Sequence, residues 1–108
     1  MTSKKALPAT VNICGVIYDI IYFDKVIEVD DDGEDGLYGQ IHYRKRKIRI
    51  FRGERPYGDI WQSIMHEILH GMGMALHLES FNKKDNHREL DLLATTLTDT
   101  LFRNGWMA

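Results

Sequence analysis

Two hydrophobic periods divide the chain. Val16, Tyr18, Ile20 and Tyr22 alternate with Ile17, Asp19, Ile21 and Phe23, the two-residue period of a strand. Both sets are largely apolar, which predicts burial on both faces. Val11 to Ile13 precede this strand across Cys14-Gly15, a hairpin arrangement. Leu37 to Tyr43 and Lys47 to Phe51 read as two further strands around an Arg44-Lys45-Arg46 turn, with Ile48 and Ile50 on one face. The segment Asp30 to Gly36 reads as a loop. After Pro56-Tyr57-Gly58 the apolar spacing lengthens to that of a helix, with Asp59 the expected N-cap and an end near Leu76. A polar loop covers about Glu79 to Asn86. A last helix is expected from about Asn86 to Arg103, with Leu90, Leu93, Ala94, Leu97 and Leu101 as its stripe and Asn104-Gly105 as its close. Strands followed by two helices predict an α+β fold, a small twisted antiparallel or mixed sheet packed on the helices.

Composition narrows the classes. The 108 residues suit one domain with a small core, too little for a two-lobed protease. A net charge of -2 points to neither nucleic acid nor membrane as partner. The single Cys14 excludes an internal disulfide; its apolar neighbours suggest a buried thiol in a reducing compartment. No apolar run is long enough for a signal peptide or a membrane span, so a soluble, cytoplasmic protein is expected.

The chemistry lies in His66-Glu67-Ile68-Leu69-His70, an H-E-x-x-H pattern. At ~100° per residue, His66 and His70 stack one turn apart and can share a metal ion. Glu67 lies beside that face, within reach of a water on the metal but not readily of the metal itself. Zinc lowers the pKa of such a water toward ~7, and the carboxylate takes the proton. The pattern also arises by chance on solvated helices. Here Ile64, Met65, Ile68, Leu69 and Met72 surround it, and burying two histidines and a glutamate is costly without partners. Gly71 and Gly73 follow where Ala would favour the helix, which predicts close backbone approach.

A catalytic zinc usually takes three protein ligands and a water. The candidates for the third are His77, Glu79, Asp85, His87, Glu89 and Asp91. His77 shares the face of His70 but lies ~10 Å along the axis at 1.5 Å per residue, so it serves only if the helix breaks after Gly73. The metzincin pattern H-E-x-x-H-x-x-G-x-x-H matches at Gly73, but its last histidine would fall at Leu76. On the last helix, His87 lies at the edge of the leucine stripe, facing inward. Asp91 sits one turn on and can orient a ligand histidine. Glu89 points to the opposite edge.

This pattern resembles the gluzincin peptidases, especially small ImmA/IrrE-like and other phage- or prophage-type minimal metallopeptidases. In those families H-E-x-x-H is followed on the next helix by E-x-x-A-D-x-x-A or a close variant, whose first Glu is the third ligand. The corresponding stretch is His87-Arg88-Glu89-Leu90-Asp91-Leu92-Leu93-Ala94. Leu90, Asp91 and Ala94 match in character. His87 stands in the ligand position, a departure that SprT-like metalloproteases share in using a third histidine. A two-residue shift would restore a glutamate ligand at Glu89. Tyr38 to Tyr43, leading to Ile48-Arg49-Ile50, resembles the family's glycine-containing strand pair. The resemblance covers roughly Gly39 to Asn104. It implies a zincin-like fold, a Zn2+ cofactor and an extended peptide substrate that adds to the strand alongside the metal helix.

Other features carry weaker expectations. The basic residues Arg44 to Lys47, Arg49, Arg52 and Arg55 read as a charged edge strand, with contact to nucleic acid the lesser alternative. Asp30 to Asp35 lacks the spacing of a calcium-binding EF-hand. His42 faces either the metal helix or solvent. Met65, Met72 and Met74 read as core. Two functions remain, a zinc endopeptidase with Glu67 as general base and a non-catalytic zinc-binding regulatory module. Monomer and dimer are both open.

Overall fold

The computed structural model describes residues 6–26, 38–82 and 87–107. The acidic stretch Asp30 to Asp35, Leu37 and the candidate ligand Asp85 lie outside them. Strand β1 (Thr10–Ile13) and strand β2 (Val16–Phe23) form the expected antiparallel hairpin, with Ile13 paired to Val16. Cys14 and Gly15 make its two-residue turn at φ 52° and 92°, the left-handed conformation such hairpin turns need. Asn12 Oδ1 accepts the Gly15 N–H at 2.7 Å and closes the turn. Cys14 is therefore exposed at a turn tip, not buried; its apolar neighbours belong to the strands on either side.

Strand β3 (Gly39–His42) and strand β4 (Lys47–Phe51) form the second hairpin. The sheet order is β1-β2-β4-β3, with β2 and β4 parallel and the other pairs antiparallel. This mixed sheet corrects two expectations. First, the basic strand β4 is interior and β3 takes the edge, so the cations of β4 do not guard an edge. They occupy the sheet's outer face, where Arg49 lies 4.6 Å over the Phe23 ring. Second, β2 is covered on one face only: Tyr18 and Ile20 are buried, whereas Ile17 is 59% exposed. Of the two helices, the one that carries the H-E-x-x-H pattern packs on the inner face and the last helix packs on that helix instead of on the sheet, so β-branched residues on the outer face remain in solvent.

The inner face is the core. Ile13, Tyr18, Ile20, Ile48 and Ile50 meet Ile60 and Ile64 of helix α1 (Tyr57–Ala75). Pro56 precedes the helix at φ -57°, and no side chain caps it. Asp59 lies within the first turn, where its charge complements the helix dipole without serving as the N-cap. At the other end His77 adopts φ 56°. The Leu78 N–H reaches the Gly73 carbonyl at 2.8 Å and the His77 N–H reaches Met74 at 3.3 Å. That is the Schellman pattern, with histidine where glycine is usual. Of the three methionines expected in the core, Met72 and Met74 are exposed, whereas Met65 packs beside Leu69, Leu90 and Ala94.

A 3-10 turn (Glu79–Asn82) then lies on α1, and helix α2 (His87–Arg103) packs beside both. Gly105 at φ 73° closes α2 with a second Schellman pair, Trp106 N–H to Leu101 at 3.1 Å and Gly105 N–H to Phe102 at 3.0 Å. The buried residues of α2 are Leu90, Ala94 and Thr98, while Leu93 and Leu97 are exposed. At ~100° per residue the inward face is thus rotated about 40° from the leucine stripe, toward His87 and Asp91. Leu90 and Ala94 of that face pack on Leu69 of α1. The Thr98 hydroxyl is satisfied by the Ala94 carbonyl at 2.7 Å. Among the described residues no helix is long and apolar enough to cross a membrane.

Candidate metal centre

Helix α1 carries His66, Glu67 and His70 on its surface between β3 and α2, both of which pack on it. His66 and Glu67 are 7% and 6% exposed. The H-E-x-x-H spacing turns the two histidines toward α2 and the glutamate toward β3. Helix α2 begins at His87, which reaches back across the junction. The His66 and His87 Nε2 atoms lie 3.0 Å apart, and those of His66 and His70 lie 3.2 Å apart. Each of the three residues offers one ring nitrogen, all within 4.8 Å of one another.

The outer nitrogens are held separately. The carboxylate oxygen Asp91 Oδ1 accepts from Gln62 Nε2 at 2.9 Å and faces His66 Nδ1 at 3.2 Å, so His66 Nδ1–H is the donor. Asn82 Oδ1 faces His70 Nδ1 at 2.8 Å and also accepts the Tyr43 hydroxyl at 3.0 Å. Burial pushes the Tyr43 hydroxyl up to about 12, with the nearby Glu67 adding to it, so it stays a neutral donor.

Electrostatics fixes what these rings present to each other. Burial, then the neighbouring His70 and His87, push His66 down to about 4 against the opposing pull of Asp91. Burial also holds His70 below the ordinary histidine range. Both rings are neutral at pH 7, and both carry their proton on Nδ1. Their Nε2 lone pairs therefore face each other at 3.2 Å. Two facing lone pairs repel unless a cation lies between them. Imidazole nitrogens at ~2.0–2.1 Å from a tetrahedral zinc are themselves ~3.3 Å apart, close to the 3.0 and 3.2 Å seen here. The donor set fits a metal ion of the type imidazoles bind.

Glu67 stands beside the triad rather than in it. Its carboxylate lies against Gly39 of β3, where a Cβ would come within 2.8 Å of Oε2. Burial raises its carboxyl to about 8 in the absence of a neighbouring cation. A cleft of about 220 Å³ opens here, lined by Tyr38, Gly39, Ser63, His66, Glu67 and His87 among others. Arg55 supports its mouth, donating to Ser63 Oγ at 2.8 Å and lying 4.8 Å over the Tyr38 ring.

The remaining sequence candidates lie elsewhere. His77 is the left-handed residue that ends α1; although the helix does end there, His77 borders a separate hollow with Met74, Leu78 and Glu79 and is not in the histidine cluster. Glu89 is exposed and borders a separate hollow with Ser80, Phe81 and Leu93. Two residues along a helix is a turn of ~200°, which sends Glu89 away from the direction of His87. Glu79 is exposed in the 3-10 turn. Sequence reasoning missed Asn82, Tyr43 and Gln62, which lie in the 3-10 turn, the turn between β3 and β4 and an unremarked helix position. Only Gly73 hinted that something packs against the end of α1.

The chain matches no protein-family profile, no curated protein and no solved structure.

Proposed function

We propose that this chain is a zinc-dependent peptidase with His66, His70 and His87 as metal ligands and Glu67 as general base. The observation that carries the reading is the convergence of three imidazole ring nitrogens beside a buried glutamate, at an open cleft. The three histidines are close enough to bind a metal ion. The choice of zinc rests on the chemistry of three imidazoles with a carboxylate kept out of the ligand set. Zinc bound there supplies Lewis acidity, polarising a peptide carbonyl and making a water acidic enough to lose a proton near neutral pH.

The chain's own residues supply the rest. Glu67 accepts the proton of the attacking water and returns it to the departing amine. Asp91 and Asn82 hold His66 and His70 in the tautomer that presents Nε2. Strand β3 can hold the substrate. The Phe51 N–H donates to the Tyr38 carbonyl at 2.9 Å, so in the alternating pattern Tyr38, Gln40 and His42 turn their backbone groups toward β4. Gly39 and Ile41 then turn theirs away from β4, along the edge nearest Glu67. An extended peptide adding to that edge runs past the cleft.

A second reading, a non-catalytic zinc-binding module on the same scaffold, is favoured by the small cleft, which encloses only a short part of a peptide. One experiment separates them. Purified protein is assayed for zinc by elemental analysis and for cleavage of a quenched fluorescent peptide library, alongside Glu67→Gln. The peptidase reading expects zinc in both and cleavage in the wild type only. Zinc without cleavage in either protein supports the binding module. Undiminished cleavage by Glu67→Gln refutes the mechanism.

A further inference from the structure

The 3-10 turn meets α1 at a position with no side chain. A Cβ on Gly73 would lie 2.4 Å from Phe81 Cβ, 3.2 Å from Phe81 Cγ and 3.3 Å from Asn82 Nδ2. Phe81 Cβ is bonded directly to the backbone, so no rotamer of Phe81 relieves that clash and the turn itself would have to lift. Glycine is disfavoured inside a helix, so its presence here calls for what the close approach achieves. Packing of Phe81 on Leu69, Leu90 and Ala94 is one result. The other is that the same turn delivers Asn82 to His70.

Four contacts tie that junction. His70 Nδ1–H donates to Asn82 Oδ1 at 2.8 Å, and the Tyr43 hydroxyl reaches the same oxygen at 3.0 Å. Tyr43 OH also lies 3.3 Å from the His70 carbonyl, which Asn82 Nδ2 approaches at 3.5 Å. The Asn82 amide is thus oriented from both ends. Its oxygen faces a ring N–H and a hydroxyl, and its nitrogen faces a carbonyl. A flipped amide would set its NH2 against the His70 N–H and its oxygen against a carbonyl.

We propose that Asn82, admitted by the bare Gly73 and steadied by Tyr43, is the positioning residue that holds His70 with its Nε2 directed at His66 and His87. This rests on the metal-binding reading of the three histidines. An imidazole whose outer N–H is held by an acceptor keeps both ring direction and tautomer, and losing such an acceptor typically weakens metal binding 10–100-fold. Gly73 therefore acts on metal affinity without touching a ligand.

The test uses the whole chain with zinc and with cobalt(II) as probes. Zinc affinity is measured by chelator competition for wild type, Asn82→Leu, Asn82→Asp and Gly73→Ala. The cobalt visible spectrum reports ligand geometry, and unfolding of the metal-free proteins reports the fold. Asn82→Leu is expected to bind zinc about 10–100-fold more weakly and to alter the cobalt spectrum. Asn82→Asp, which keeps an acceptor for the His70 N–H, is expected to stay near wild type. Gly73→Ala is expected to weaken binding in the same direction as Asn82→Leu. Wild-type affinity and spectrum in Asn82→Leu overturn the proposal alone, as does Asn82→Asp binding as weakly as Asn82→Leu. A wild type that binds neither ion overturns the metal reading and this proposal with it.

Discussion

His66 is held from behind by Asp91. Its Nδ1 lies 3.2 Å from Asp91 Oδ1, while its Nε2 lies 3.0 Å from the Nε2 of His87, one turn earlier on the same helix. A single turn of α2 thus serves both nitrogens of one imidazole. Asp91 is itself oriented by Gln62, and Gln62 reaches Thr95 as well at 3.3 Å. Because the Asp91 side chain is 55% exposed, its pairing with His66 contributes little to folding. Its effect should appear in the metal affinity. Asp91→Ala is expected to bind zinc about 10–100-fold more weakly, with a denaturation midpoint close to wild type. Chelator competition and urea unfolding of the metal-free protein check both halves.

Glu67 gives the metal-free protein a pH signature. Its carboxyl is raised from 4.5 to about 8 by burial. Between those values the folded state keeps a proton that the unfolded chain has released, so stability falls as pH rises toward 8. His66, lowered from 6.5 to about 4, acts with the opposite sign below its ordinary value: its contribution is lost as pH falls from about 6.5 to about 4. The Glu67 effect is therefore read between pH 6.5 and 8. Urea unfolding in the presence of chelator should show declining stability over that range, and Glu67→Gln should flatten it. Saturating zinc should flatten it too, since a nearby cation favours the carboxylate. An identical decline in Glu67→Gln would assign it to other groups.

Gly39 makes room for the Glu67 carboxylate. A methyl group there would come within 2.8 Å of Glu67 Oε2 and 3.2 Å of its Cγ. The crowded oxygen is the end of a flexible side chain, so it swings aside with little strain on the fold. Gly39→Ala is expected to retain zinc affinity within about twofold, because no ligand moves. Cleavage should drop by roughly 10²-fold, the effect of misplacing a catalytic group by ~1 Å. Parallel zinc titration and peptide hydrolysis measure the split; a joint loss of both would mean that position 39 supports the whole centre.

His77 tests the distinction between ligand and cap. It holds φ 56° at the end of α1, a conformation that glycine adopts without strain. His77→Gly is expected to leave zinc content unchanged and to stabilise the protein by up to about 1 kcal/mol, because relief of the ~1–2 kcal/mol left-handed cost is offset in part by the ~0.5–1 kcal/mol of extra entropy that glycine loses on folding. Thermal unfolding with elemental analysis decides it, and a fall in zinc would return His77 to the ligand set.

Much of this was legible in one dimension. The period-two runs and the longer apolar spacing located the strands and both helices, because burial of one face imposes those spacings directly. The H-E-x-x-H pattern placed two imidazoles on one face of α1 and a carboxylate beside it, which helix geometry requires of any such spacing. Gly71 and Gly73 announced close approaches. They are met by Ile13 Cδ1, 2.7 Å from a Cβ at Gly71, and by Phe81 Cβ, 2.4 Å from one at Gly73. What approaches was not legible, since a glycine records that space is needed and not what fills it.

The sequence by itself determined the α+β order of elements and the spacing of the histidines on α1. It also determined the C-terminal cap at Gly105, a local matter of backbone conformation. Tertiary structure decided the rest. Parallel pairing of β2 with β4 put β3 at the edge beside Glu67, a choice that no local pattern encodes. Docking of α2 on Leu90, Ala94 and Thr98 rather than on Leu93 and Leu97 set the rotation that carries His87 and Asp91 to His66. Packing of the 3-10 turn on Gly73 brought Asn82 to His70. Spacing within one element follows from backbone geometry, whereas the meeting of elements depends on how their side chains interlock.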